Sequence, residues 1–198
     1  MNKNNLYGDL YDKYVTAYSD SFERVFLDDI IIKKIDNFVS EKIVRAKVNE
    51  PQHKIDPKSE QKRFVTGLLG EAALEKLLGI PIIDWTVGES KKYNHPDILK
   101  YNIGAKTVEK FNFPIIFKRN WYPQIICIRS DKFENLIFVC GLATPEILNK
   151  YQSDGLILDS NLRLRNTKTG FYGFKYLIPI HSLKDIEKYN RVENAFIV

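Results

Sequence analysis

Cysteine is scarce in this sequence: Cys127 and Cys140 are the only two, and both lie inside apolar stretches, IICI and IFVCGL. Such positions read as reduced, buried thiols rather than as a disulfide. No apolar run approaches the roughly 20 residues that span a bilayer, and the opening MNKNNLYGDLYDKY lacks the apolar stretch of a signal peptide. The expectation is a cytoplasmic protein with no membrane partner. No Gly-rich phosphate loop, zinc signature or serine-hydrolase elbow occurs, nor any internal repeat or low-complexity segment. The three histidines, His53, His95 and His181, are scattered without metal-ligand spacing. His95 alone has a suggestive neighbour, the Pro96-Asp97 pair, where an imidazole can help to position a phosphate.

What is present describes an ordinary globular chain. It has 198 residues, 44% of them hydrophobic and 28% charged, enough for one domain with a sizeable core and far from the composition of disorder. Thirty basic residues against twenty-five acidic ones leave a net charge of +5. That excess suits a polyanionic partner without requiring one.

Periodicity divides the chain into an N-terminal helical region (1–57), a core (58–150) and a C-terminal basic and aromatic extension (151–198), all within one domain. Between residues 19 and 48, Phe22, Val25, Phe26, Ile30, Ile35, Phe38, Val39 and Ile43 recur at helical spacing. Pro51 and Pro57 then mark a loop. KSEQKRFVTGLLGEAALEKLLG reads as a helix with one broad apolar face that stops at Gly79. Gly67 and Gly70 inside it each cost roughly 1 kcal/mol relative to alanine, so they point to close approach by a sheet. IPIIDWTV, HPDILKYN, IGAKTVEK, FPIIFK, PQIICIRS and NLIFVCGL have strand character and predict a mixed central sheet of five or six strands flanked by helices, an α/β fold. TPEILNKY, with Thr144 as cap and Glu146 in the first turn, predicts a short helix.

Chemistry concentrates in three places in sequence order: Glu71 in the glycine-rich helix, Asp97 after Pro96, and Lys106 within IGAKTV. Phosphodiester hydrolysis assisted by a divalent metal needs carboxylates, because Mg²⁺ prefers hard oxygen ligands, and it benefits from a cation near the attacking water and the phosphate. Over residues 60–130 the chain resembles the PD-(D/E)XK nuclease superfamily, whose fold is restriction-endonuclease-like. The resemblance implies a helical glutamate at Glu71, a metal-binding aspartate at Asp97 that opens the first strand of a hairpin, and a lysine at Lys106 that orients or activates water. It also implies the Ala105 backbone carbonyl as a ligand, Mg²⁺ or Mn²⁺ as cofactor and DNA as substrate. A homodimer and a phage or mobile-element origin would fit as well. The chain departs from the pattern at Gly104, where the family has Asp or Glu. Glu109 in the same strand is a weak substitute, since alternation turns it away from residues 104 and 106. Asp84 is a further candidate ligand.

A second cluster, NLRLRNTKTGFYGFKY, interleaves Arg163, Arg165, Lys168 and Lys175 with Phe171, Tyr172, Phe174 and Tyr176, a mixture able to grip phosphates and stack on bases. Arg163 and Arg165 have strand parity. Lys118, Arg119 and Lys132 are additional basic positions near strand ends. The leading expectation is therefore a metal-dependent DNA endonuclease. Its rivals are a nuclease-fold DNA-binding protein without catalysis and an interaction protein that docks through an apolar patch on residues 22–43.

Overall fold

Apolar continuity decides which strands become central. The computed structural model describes residues 3–49, 57–85 and 96–195, so His53 and His95 lie outside the described residues. In chain order the first elements are α1 (Lys3–Tyr14), β1 (Glu23–Phe26), α2 (Asp29–Asn49) and α3 (Pro57–Leu78). Strands β2 (Gly104–Glu109), β3 (Ile115–Phe117), β4 (Gln124–Arg129) and β5 (Leu136–Ala143) follow. The chain continues with α4 (Pro145–Lys150), β6 (Gln152–Ser153), α5 (Ser160–Arg165), β7 (Lys168–Phe171) and α6 (Leu183–Ala195). The two most continuous apolar runs are β4 and β5, and both are buried nearly from end to end, as strands covered on both faces should be. Cys127 and Cys140 are buried free thiols there, and burial pushes Cys127 up to about 12.

The main sheet has the order β1-β5-β4-β2. β2 runs parallel to β4, and the other pairs are antiparallel, so the sheet is mixed. A second, antiparallel sheet has the order β3-β7-β6. One face of the main sheet packs on α2, α3 and α6 through Ile35, Val39, Leu69, Ala73, Leu74, Ile125, Cys127 and Ile186. The other face packs on the second sheet, α1 and α4 through Tyr11, Phe113, Ile116, Ile126, Ile128, Leu148 and Phe171. Odd-numbered residues of β4 serve the first core and even-numbered ones the second, the period-2 alternation of a strand.

Several expectations are corrected. The central sheet has four strands, with a second sheet of three, rather than five or six together. IPIIDWTV is irregular over its described residues 80–85, and HPDILKYN gives only the isolated bridge between Ile98 and Ile103 around a 3-10 turn, Leu99–Tyr101. The N-terminal region is not wholly helical, since β1 within it completes the main sheet. Arg163 and Arg165 sit on a helix rather than a strand. Of the proposed apolar patch on residues 22–43, Phe22, Val25, Ile35 and Val39 are core. By contrast, α3 stops at Gly79 with φ +68°, and the Thr144 side chain accepts a hydrogen bond from the Ile147 N–H at the start of α4.

Gly70 is where α3 meets β2. A Cβ built there would stand 1.7 Å from Thr107 Oγ1 and 2.8 Å from Thr107 Cβ, whereas one at Gly67 meets nothing within 4 Å. Thr107 Oγ1 is also the one buried side-chain polar atom without a hydrogen-bond partner among the described residues. Gly70→Ala should therefore lower the unfolding free energy by roughly 1–3 kcal/mol through overpacking, while Gly67→Ala should raise it by up to about 1 kcal/mol. Thr107→Val, which removes the orphan hydroxyl at nearly constant shape, should be neutral or stabilising by about 1 kcal/mol. Urea denaturation of the three variants measures all of these.

Candidate active site

β2 is an edge strand, and its open edge builds the site. The Gly104 N–H bonds to Pro123 O on the side of β4, so the backbone groups of the next residue turn to the free edge. There the Ala105 N–H donates to Asp97 Oδ2 at 2.5 Å. The Ala105 carbonyl follows its N–H to the same edge, beside the Asp97 carboxylate. The reach from Asp97 to Ala105 is possible because the Ile98–Ile103 bridge folds residues 97 and 104 back together.

Alternation then sorts the side chains of β2. Thr107 and Glu109 face α3, while Gly104 and Lys106 face the opposite side, where they line a cavity of about 210 Å³. Asp97, Ala105, Tyr122, Gln124, Phe117 and Lys168 complete much of its wall, with Ile115 and Ile116 beneath. Glu71 is not among these lining residues. It comes from the α3 side, one position after the glycine that lets the helix approach β2. Its carboxyl is near enough to Asp97 for their charges to interact.

The electrostatics of the pair are unusual. Burial, then the charges of Asp97 and Glu75, push Glu71 up to about 8. Burial raises Asp97 as well, opposed by the Ala105 N–H and by Lys106. Lys106 is pushed down to about 8 by burial, then by Lys168 and Arg63, with Asp97 pulling the other way. Lys168 is itself lowered by burial, then by Arg63 and Arg165. Two carboxylates on one side and a gathering of cations on the other thus share one half-buried place.

Gly104, where an acid was expected, has no strained backbone, so space governs what can stand there. A Cβ at this position would lie 3.0 Å from Tyr122 Cε2, 3.5 Å from Gln124 Cγ and 3.6 Å from Asp97 Oδ2. The neighbouring strand has moved in: Gln124 is the register partner of Gly104 and is only 8% exposed. Its Nε2 donates to Asn120 Oδ1 at 3.5 Å, and its amide oxygen remains as an acceptor on a residue of the cavity wall. Tyr122 feels the charge of Asp97 after its own burial, and its hydroxyl is raised.

The structure brings Asp97, Ala105 and Lys106 together on one cavity wall, with Glu71 outside that wall but within charge range of Asp97. It does not bring in Glu109, which accepts from Thr66 Oγ1 at 2.5 Å and pairs with Arg129 at 3.4 Å and Lys62 at 3.8 Å on the α3 side. Asp84 is exposed and outside the cavity wall. Among the described residues no group of three or more His, Cys, Asp or Glu side chains gathers to hold a metal. Of the basic and aromatic cluster, Lys168 alone lines the cavity. Phe171 and Phe174 are core, and Tyr172 is half-buried against Tyr14 and Tyr151. Lys118 is held by Asp154 at 2.6 Å and by Asn166, Arg119 is exposed, and the Arg163 guanidinium bonds to Ile157 O. Lys132 belongs to a different concavity with Asp29, Lys33 and Phe133. The residues that sequence reasoning missed, Tyr122, Gln124 and Phe117, carry no motif. Only the register of β2 against β4 could have found Gln124.

What fold and site define together is a mixed α/β protein with a carboxylate and lysine centre at an open sheet edge. Comparison with family models, curated proteins and solved structures yields no match to this chain. No helix among the described residues is long and apolar enough to cross a membrane.

The two shifted groups act on stability in opposite pH windows. Glu71 binds its proton more tightly folded than unfolded, so its stabilising contribution is complete below 4.5 and is lost as pH rises to about 8. Lys106 holds its proton less tightly when folded, so its destabilising effect is full below about 8 and fades towards 10.5. In metal-free buffer, Glu71→Gln should gain stability over the wild type between pH 5 and 8, then hold that gain. Lys106→Met should show its largest gain below pH 8 and lose it above. Thermal melts across pH 5 to 10 would reveal both slopes, and parallel curves for all three chains would refute the assignment.

Proposed function

We propose that this chain is a divalent-metal-dependent nuclease that hydrolyses phosphodiester bonds in DNA, with a restriction-endonuclease-like active site of the PD-(D/E)XK kind. The observation that carries the reading is the convergence of Glu71, Asp97 and Lys106, from a helix, a turn and a strand, at the open edge of β2.

The donor set fits a hard cation. Burial raises the proton affinity of both Glu71 and Asp97, and the charge of Asp97 raises that of Glu71 further, so the protein by itself leaves their charge undercompensated. Their oxygens, the Ala105 carbonyl and the amide oxygen of Gln124 are all hard ligands of the type that Mg²⁺ or Mn²⁺ takes. Gln124 stands in for the acid that Gly104 lacks. When bound, such an ion would supply Lewis acidity to a phosphate oxygen. Asp97 is fixed for its part by the Ala105 N–H, which leaves its other oxygen free to ligate. Lys106, with a proton affinity near neutral pH, can orient a water through its Nζ and exchange a proton with it. Lys168, on the facing wall, can hold the phosphate.

Incubation of the full chain with supercoiled, linear, single-stranded and branched DNA, in Mg²⁺ and then Mn²⁺, tests the reaction. Cleavage should appear and fall by ~10²-fold or more in Asp97→Ala and Lys106→Ala. DNA binding without cleavage of any form would leave a nuclease fold that only binds. Calorimetric titration with Mn²⁺ tests the donor set separately. Gln124→Ala should weaken binding by about 10-fold or more, and Gln124→Glu should tighten it.

A further inference from the structure

The last residue of β3, Phe117, and the segment 118–123 that follows it carry two large aromatic side chains into solvent on either side of a buried anchor. Phe117 is 54% exposed and forms part of the cavity wall, and Trp121 is 82% exposed one residue before Tyr122, another wall residue. Exposure of a tryptophan on a loose loop would mean little. This loop is pinned. Asn120, 6% exposed, donates its N–H to Asn149 Oδ1 at 2.9 Å and its Nδ2 to Phe117 O at 2.8 Å, and Asn149 Nδ2 returns a bond to Asn120 O at 3.2 Å. Gln152 Nε2 adds a bond to Lys118 O at 3.2 Å. The backbone before Trp121 is thus fixed from α4 and β6, and after it Pro123 O accepts the Gly104 N–H of β2, so the indole is displayed from a segment held at both ends.

Positive charge gathers on the Phe117 side of the display. Lys168 Nζ lies 5.3 Å from the centroid of the Phe117 ring and lines the same cavity. Lys106, Arg63 and Arg165 stand near enough to be felt by it or by each other. Flat apolar rings beside cations are the requirements for holding a nucleotide strand: rings stack on bases whatever their identity, and the cations take the phosphates. In a continuous duplex both faces of each base are covered by neighbours, so such rings find a partner only where bases are unstacked.

We propose that Phe117 and Trp121, with Lys168 beside the Phe117 ring, form a stacking platform for unpaired nucleotides, so that the ligand of this site is nucleic acid with single-stranded character: a free strand, a flap or a frayed end. The proposal rests on the nucleic-acid reading above but needs no cleavage. It adds to that reading the strand state of the substrate.

The test is fluorescence anisotropy of a labelled oligothymidine and of a labelled blunt hairpin of the same length, in EDTA and low salt, with the full chain. The wild type should bind the single strand at least 10-fold more tightly than the hairpin. Trp121→Ala should lower single-strand affinity by roughly 5- to 100-fold, and Trp121→Phe should recover much of the loss. Because the side chain is exposed, these variants should melt with the wild type. Equal affinity for the two probes, or a Trp121→Ala chain that binds the single strand like the wild type, overturns the proposal. A chain that prefers the hairpin yet cleaves DNA overturns this inference alone. A chain that binds oligothymidine through Trp121 but cleaves nothing overturns only the hydrolytic reading.

Discussion

The close approach of α3 to the edge strand β2 is the constraint on which the rest depends. With no side chain at Gly70, the helix settles against Thr107 at a distance that no Cβ would allow. Glu71, next in the helix, is thereby delivered to the open edge of the sheet, where the turn after Pro96 brings Asp97. A helix one side-chain layer further out would leave the glutamate in solvent at its ordinary acidity. The orphan hydroxyl of Thr107 belongs to this same approach. A buried unsatisfied polar atom is tolerated where packing fixes something else of value.

Charge in the site is separated rather than neutralised. Glu71 comes from α3, Asp97 shares the cavity wall with Lys106 and Lys168, and Arg63 of α3 adds to the cations, yet burial still shifts Glu71 and Lys106 away from their charged forms. Under the function proposed above, a metal ion would lie against the carboxylates and an anion against the lysines. At Gly104, where an acid is absent, the space is taken by carbon atoms, Tyr122 Cε2 and Gln124 Cγ, beside Asp97 Oδ2.

The parts of the fold legible in the sequence were those with strong local signals. The long helix with its glycine stop, the apolar strands β4 and β5, β2, and the capped helix after Thr144 all appear where periodicity and caps placed them. Gly70 was legible as a close approach, but Gly67, three residues earlier in α3, meets nothing within 4 Å, because only the later turn of the helix lies against Thr107. Lost were features decided by distant partners. Asp97 looks like the start of a strand yet needs only one bridge, because its carboxylate takes over a backbone partner's role. Arg163 and Arg165 alternate as a strand would, but the Asp159 side chain accepts from the Asn161 N–H and starts a helix there. Glu71, Asp97 and Lys106 could be grouped by order alone, whereas Tyr122 and Gln124 join them only through the register of parallel strands, which no local pattern encodes.

The pairing of β1 with β5 has a consequence for the history of each molecule. Glu23–Phe26 comes off the ribosome early, yet its hydrogen-bonding partner, Leu136–Val139, emerges only after most of the chain has been made. Until then Val25 has no sheet to join, and the helices that follow have only part of their floor. β2 likewise waits for β4, to which it is joined in parallel across β3. Folding of this domain therefore waits on β5 and is dominated by long-range closure, and a nascent chain stalled before β5 would carry β1, β3 and β4 without partners they later pair with, the kind of species that chaperones exist to shelter.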